Sequence, residues 1–307
     1  MEHQIDASLL AWINQAWTHP ALDALMVLLS TGGLAWFAVL TLLAWQRRER
    51  PIRWSLLLAQ SAALVGVLLF YYLAGRARPD AARLVLAAPP LPSFPSGHAA
   101  LAAATATAWW LHYRWHRRTA IIGALALGVA YSRIYLGHHF PTDVVAGMVL
   151  GIGTGAAAHG ITHNWGNLRA MISWLLWPQV ALALLVTMMA YLGLLPLSLL
   201  AWPYADKVLH MLLIGALAFW LNLWLPDWQL QIGRWHVPIA ILLPFAVAAI
   251  EEVLQSWSPL RSFDWGDMAS NLAGLLLFYA LSRWVMARLP LTTPPLVDAA
   301  APPRIAG

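Results

Sequence analysis

An all-α polytopic membrane protein is the fold class this sequence predicts, and three observations predict it. Charged residues make up only 10% of the 307-residue chain and hydrophobic ones 61%, where an ordinary soluble domain carries about 25% charged residues. Apolar runs of about 17 to 25 residues, the length that crosses a hydrocarbon core, recur from one end to the other. Tryptophans such as Trp12, Trp45, Trp54, Trp202 and Trp257 fall mostly at the ends of those runs, where amphipathic rings settle at a membrane–water interface. The pI near 9.9 does not indicate nucleic acid. The chain has no basic tail or aromatic-basic platform, and cationic membrane loops give the same value. There is no cysteine, which removes disulfide and thiolate chemistry.

Taken in order, residues 5–18 (IDASLLAWINQAWT) set Leu9, Leu10, Ile13 and Trp17 at helical spacing among polar residues. They are expected to lie along the interface as an N-terminal helix. The opening MEHQIDASLLAW lacks the basic stretch and small-residue cleavage site of a signal peptide. About nine transmembrane helices follow, near 24–45, 54–74, 97–113, 119–137, 142–160, 171–192, 207–225, 238–255 and 269–287. The expected organisation is two fused helical bundles, residues 1–165 and 201–290, joined by a connecting transmembrane helix within 166–200. Residues 291–307 are expected to form a disordered cytoplasmic tail.

Basic residues orient the chain. The stretches QRRERPIR and RWHRR, together with Arg169, Arg234, Arg283, Arg288 and Arg304, share one side if the spans alternate. The positive-inside rule makes that side cytoplasmic. Arg76, Arg78, Arg83, Arg133, Lys207 and Arg261 fall on the opposite side, so something other than topology should be keeping most of them.

Three pieces of the first half meet on that outer side: GRARP with Arg76 and Arg78, PSGH from Pro95 to His98, and SRIYLGHHFPTD from Ser132 to Asp143. Arginine forks at Arg76, Arg78 and Arg133 suit phosphate oxygens. Ser96, Gly97 and His98 open a helix whose free N–H groups favour an anion, and Gly97 permits close approach. His139 and Asp143 are four apart, where Pro141 allows a helix to begin. That spacing would let the carboxylate hold one imidazole nitrogen and free the other for attack. His139 is then the candidate nucleophile, His98 the general acid, and the arginines stabilise spreading phosphoryl charge. Singly, each residue is explained by capping or anchoring; their joint occurrence on one face points to phosphoryl transfer. A metal site from His98, His138, His139 and Asp143 is the other arrangement of these side chains, but arginines beside it favour an anion. No metal and no cofactor are expected.

These pieces resemble the signature of the type 2 phosphatidic acid phosphatase family over about residues 60–160: Arg78-Pro79, then Pro95-Ser96-Gly97-His98, then Ser132-Arg133, His139 and Asp143. The resemblance implies a phosphohistidine on His139, His98 as acid, no metal, and a lipid phosphate substrate. One position departs: the family's lysine falls at Tyr71, which brings no charge.

In the second half, Asp206 and His210, Glu252 and Gln255, and Asp267 and Asn271 each share a helix face, with Arg261 and Asp264 in a connecting loop. Polar groups placed at membrane depth pair or act, so these are expected to converge on one cluster. The set is similar to the VanZ-like family over roughly residues 200–287, implying a VanZ-like membrane domain at 201–290. A satisfied network locking three helices explains the cluster as well as a binding site for a lipid-linked or glycan ligand does.

The sequence thus predicts a lipid phosphatase of the bacterial inner membrane, its site facing the periplasm or exterior, with undecaprenyl diphosphate the favoured substrate. The alternatives are a lipid phosphotransferase, a phosphatidylglycerophosphate or phosphatidate phosphatase, and a non-catalytic binder or transporter. The lipid substrate and the bilayer are the expected partners; oligomeric state is not specified.

Overall fold

The computed structural model describes residues 2–46, 50–80, 82–114, 117–196, 201–257 and 263–288. Arg261 and the expected tail at 291–307 lie outside them. The described chain is mostly helical: α1 (Glu2–Gln15), α2 (Pro20–Gln46), α3 (Arg50–Ala74), α4 (Gly97–Tyr113), α5 (Arg117–Tyr135) and α6 (Pro141–His163) form the first bundle. Short α7 (Leu168–Ser173) and α8 (Leu176–Tyr191) lead to α9 (Ala205–Trp224), α10 (Ile239–Gln255) and α11 (Trp265–Met286). Between α9 and α10 the chain makes a hairpin that the span pattern did not anticipate, β1 (Gln229–Ile232) antiparallel to β2 (Trp235–Pro238). Its two-residue turn is closed by Gly233 at φ +60°.

Every expected span coincides with helix, but length and composition return fewer crossings than nine. Among the described residues, four helices are long and apolar enough: Pro51–Ala74, Pro141–His163, Leu168–Tyr191 and Ala205–Trp224. A fifth is added if the two arms of α2, bent by 42°, count together. The shortfall has physical causes. α4 and α10 have only 17 residues each, about 26 Å of rise against a core of about 30 Å. α5 carries Arg117, Arg118 and Arg133, and α11 opens on Asp267, Ser270 and Asn271.

The surface is inside-out relative to a soluble protein. Leu64, Val65, Leu68 and Leu69 on α3, and Leu276, Leu277 and Leu281 on α11, are exposed, an apolar belt suited to lipid. α6 is the central helix, its apolar window 72% buried against 28% for the other three candidate spans. It packs on α3, α4 and α8, and α8 continues to α9, which pairs with α11. Small residues set the α4–α6 contact: a Cβ on Gly147 would lie 2.4 Å from the Ser96 carbonyl oxygen, and one on Gly151 2.2 Å from that of Ala100. This close approach brings the start of α4 to the start of α6.

Helix α1 is too short to span. It places Asp6, Leu10 and Asn14 against the protein and leaves Ile5, Leu9, Trp12 and Trp17 beyond its end exposed. Asp6 and Asn14 therefore face inward. Asn14 Nδ2 donates to the carbonyls of Tyr135 (2.7 Å) and Arg83 (2.9 Å), and its Oδ1 accepts from Arg83 N–H (2.7 Å). α1 thereby straps the two loops that carry the site.

Candidate active site

The site forms where the loop 75–96, the start of α4, the end of α5 and the turn 136–140 meet. Two backbone bonds draw the pieces together. Ser96 N–H donates to the Asp143 carbonyl at 2.8 Å, and Ser93 N–H to that of Arg76 at 2.8 Å. Past α5, the N–H groups of His138 and His139 both donate to the Arg133 carbonyl, which turns the chain tightly with Gly137 at φ +76°.

His139 is buried, 1% exposed. Its Nδ1–H donates to the Ser93 carbonyl at 2.8 Å, so Nε2 carries the lone pair and accepts from Arg78 Nη1 at 3.2 Å. The expected Asp143 bond is replaced: Asp143 Oδ2 stands 3.8 Å from Nδ1, outside bonding range. That oxygen instead accepts from Phe140 N–H at 2.9 Å, capping α6, while Oδ1 accepts from Arg76 Nη1 at 2.6 Å. A carboxylate three residues into a helix is well placed to reach back to the capping N–H, and here that demand wins. Asp143 remains beside His139 as a buried negative charge. Burial holds the His139 pKa below the ordinary 6.5, with Asp143 opposing and Arg78 and Arg133 reinforcing, so the resting ring is neutral.

His138 is occupied structurally. Its Nδ1 accepts from Arg133 Nη2 at 2.5 Å and its Nε2–H donates to the Leu86 carbonyl at 2.7 Å. Burial lowers its pKa to about 4. His98, half-buried on the first turn of α4, makes no hydrogen bond to a described residue, and lies in electrostatic range of His139, His138, Arg78 and Arg133.

The arginines divide into two roles. Arg78 is fixed by the carbonyls of Leu91 (2.8 Å), Pro92 (3.3 Å) and His138 (2.8 Å), with its fork against His139. Arg133 bonds Ser30 and His138, but its Nε is buried without a partner among the described residues. Arg76, expected to hold phosphate, is committed elsewhere: it bridges Asp143 and Asp6 (2.7 Å), donates to Thr142 Oγ1 (2.9 Å) and lies over the Phe140 ring. Both Nη atoms are spent on carboxylates, which removes it from the anion set. Tyr71 does stand at the site: its hydroxyl oxygen is 3.6 Å from where a Cβ on Gly97 would lie.

Ser96 caps α4 by position, yet its hydroxyl makes no capping bond and is fully buried without a partner. Buried polar groups are seldom left unpaired. Ser96 Oγ and Arg133 Nε are two of six such orphans among the described residues, and with the free N–H groups of the first turn of α4 they are donors that an oxyanion could take up.

The second cluster also assembles. Lys207 Nζ bonds Asp264, Asp267 (2.7 Å) and Asp206 (3.1 Å). His210 approaches Asn271 (3.3 Å) and Asp267 (3.7 Å). Glu252 Oε1 accepts from Asp264 N–H at 2.7 Å, and Gln255 Nε2 donates to Glu251 (2.7 Å) and Glu252 (3.4 Å). Among the described residues, Asp206, Asp264 and Asp267 are the one acidic or histidine trio close enough to share a cation; the Lys207 ammonium already bonds all three. A small cavity lined by Asp206, His210, Gln255 and Asn271 separates this cluster from the end of α8. The same end of α8 borders α1 and the start of α6, so both clusters lie at one end of the molecule. The basic residues Arg53, Arg117, Arg118, Arg169, Arg234 and Arg283 belong to the opposite helix ends.

The described chain is helical, with helices long enough to cross a membrane, and its first bundle is similar to known proteins. Residues 53–167 match the model of the PAP2 superfamily. The chain is similar to the undecaprenyl-diphosphatase of Sulfolobus acidocaldarius, 35% identical over 137 residues, covering 42% of this chain and 66% of that protein. It thus spans slightly less than two thirds of that relative's length. Among solved structures it is similar to Aquifex aeolicus LpxE, with 28% identity and a TM-score of 0.45 over 50% of this chain and 94% of the other. The family match ends at residue 167 and does not extend to the second bundle.

Proposed function

We propose that the protein is a lipid phosphatase that hydrolyses a lipid diphosphate, undecaprenyl diphosphate foremost, through a phosphohistidine on His139. The observation that carries this reading is the orientation of His139, its Nε2 lone pair turned to Arg78 while Ser93 holds Nδ1–H. The unpartnered Ser96 and Arg133 donors would complete the cradle. The PAP2 match and the undecaprenyl-diphosphatase relative support the reaction class and the substrate.

Nε2 attacks the terminal phosphorus as the bond to the leaving oxygen breaks, and His98, taking up a proton as the anionic substrate binds beside it, gives that oxygen its proton. Lipid monophosphate departs. Neutral His98 then takes a proton from water, the hydroxide attacks phosphorus, and the P–N bond breaks to return the lone pair to His139 and release phosphate. Arg78, Arg133, Ser96 and the α4 N–H groups hold the equatorial oxygens, whose charge grows in the transition state. No step calls for a metal. The reading places the site on the periplasmic or outer face of a bacterial inner membrane, supported by the basic residues at the opposite helix ends. We read residues 201–290 as a VanZ-like unit, supported by the convergence of Lys207, Asp264, Asp267 and Glu252.

The test is phosphate release from undecaprenyl diphosphate, phosphatidylglycerophosphate and phosphatidate, by wild type and His139→Ala, with chelator present. Release strongest from the diphosphate, surviving chelator and absent in the variant, is the expected result. Release unaffected by His139→Ala, or abolished by chelator, overturns the mechanism; phosphoryl appearing on a second lipid instead of as free phosphate makes the protein a transferase.

A further inference from the structure

Asp6 lies 47 residues upstream of the start of the family match, on a helix whose exposed side is apolar, yet it is only 2% exposed. Its Oδ2 pairs with Arg76 Nη2 at 2.7 Å and accepts from Thr142 Oγ1 at 2.5 Å, and its Oδ1 accepts from Thr142 N–H at 3.1 Å. A carboxylate this deep needs a reason, because removing it from water is costly unless it is paired.

Arg76 already has a partner in Asp143 at 2.6 Å. With that partner alone, guanidinium and carboxylate would cancel, leaving little field at His139, 3.8 Å from the other Asp143 oxygen. The groups facing His139 are Asp143 on α6, Arg133 on α5, His98 on α4, Arg78 on the loop and neighbouring His138. Only Asp143 among them is negative. When Nε2 bonds phosphorus the ring becomes cationic, and Asp143 is the one charge placed to favour it. Asp6 brings the buried set Asp6–Arg76–Asp143 to a formal charge of −1, and its bonds to Thr142 pin the first turn of α6 that carries Asp143.

We propose that Asp6 is a positioning residue of the catalytic centre: by neutralising Arg76 it leaves the Asp143 charge to His139, so that the N-terminal helix is part of the active unit. This rests on the phosphohistidine reading above. The test uses the full chain in detergent, with kcat and kcat/KM for the lipid diphosphate measured against pH. Asp6→Asn keeps shape and loses charge. It should lower kcat about tenfold, change KM little, and move the acid limb of kcat/KM to lower pH by roughly half a unit or more. Asp6→Glu, which keeps the charge, should hold the limb at its wild-type position whatever its kcat. Arg76→Gln should move the limb upward, and decides the matter if Asp6→Asn does not fold. An unmoved limb in both Asp6→Asn and Arg76→Gln, or an equal shift in Asp6→Asn and Asp6→Glu, overturns the proposal. Phosphate release that survives His139→Ala sinks the underlying mechanism instead, so the two failures are distinct.

Discussion

The imidazole of His139 gives its Nδ1–H to the main-chain carbonyl of Ser93 at 2.8 Å and turns Nε2 toward Arg78. A carbonyl cannot take up a proton, so this bond fixes the tautomer whatever the ionisation of the carboxylate beside it.

The first prediction concerns pH. A nucleophilic imidazole must be neutral, so activity is present above its pKa and lost as pH falls through it. Burial holds His139 below the ordinary 6.5, so the acid limb of kcat/KM should have its midpoint below pH 6.5. The same sign holds for stability. The unfolded chain takes up protons near 6.5 that folded His138 refuses until about 4, so stability should decline as pH drops through that window. A pH–rate profile with its acid midpoint above 6.5 would contradict the first statement; thermal melts that do not fall between pH 6.5 and 4 would contradict the second.

The arginines give a second test. Arg78 is held by three backbone carbonyls that only a planar fork reaches together. Arg78→Lys should therefore cost about 10²-fold or more in kcat/KM, in line with loss of an oxyanion donor. Arg133→Lys removes the unpartnered Nε and should cost a similar factor. Circular dichroism should show both variants still helical; activity within a few-fold of wild type would remove them from the cradle.

Legibility in the sequence divided along a physical line. Side-chain pattern at short range grouped Arg78, the Ser96–His98 triplet, Arg133, His139 and Asp143, and spacing to a helix start was the signal for the triplet, His139 and Asp143. It also marked the helices, since apolar runs encode them directly. What it did not mark acts through the backbone or across long separations. The Ser93 carbonyl has no side-chain signature. Asp6 meets Arg76 across 70 residues, and its helix displays Ile5, Leu9 and Trp12 outward, so its pattern suggested only a membrane-surface role. The two-sided pairing of Arg76 was invisible for the same reason, as was the exposed hairpin at 229–238, too short and polar to register against the spans.

Third, helix spacing should control the chemistry. A methyl on Gly151 would meet the main-chain carbonyl oxygen of Ala100 at 2.2 Å, whereas one on Gly123 has nothing within 4 Å. Gly151→Ala must push α4 from α6, at a stability cost of about 1–3 kcal/mol. Because α4 carries His98 and α6 carries Asp143, misplacement on the order of 1 Å should also lower kcat by about 10²-fold. Gly123→Ala should leave melting and rate unchanged. Equal behaviour of the two variants would refute this account of the packing.

The last prediction separates the two bundles. Lys207 sits among Asp206, Asp264 and Asp267, and bonding from its ammonium holds the Asp264 carboxyl below the usual range. Lys207→Met leaves three carboxylates facing one another, the most buried of them Asp267, and unpaired buried charge is strongly destabilising. The start of α9 and the start of α11 should separate, so the variant should melt earlier, and lowering the pH through the carboxylate range should restore part of the loss by protonating the trio. Phosphate release at a temperature where the variant remains folded should change little, because the end of α8 stands between this cluster and the bundle that carries His139. A variant with wild-type melting would show the ion pairs to be incidental. A folded variant that had lost phosphate release would show that the second bundle takes part in the reaction.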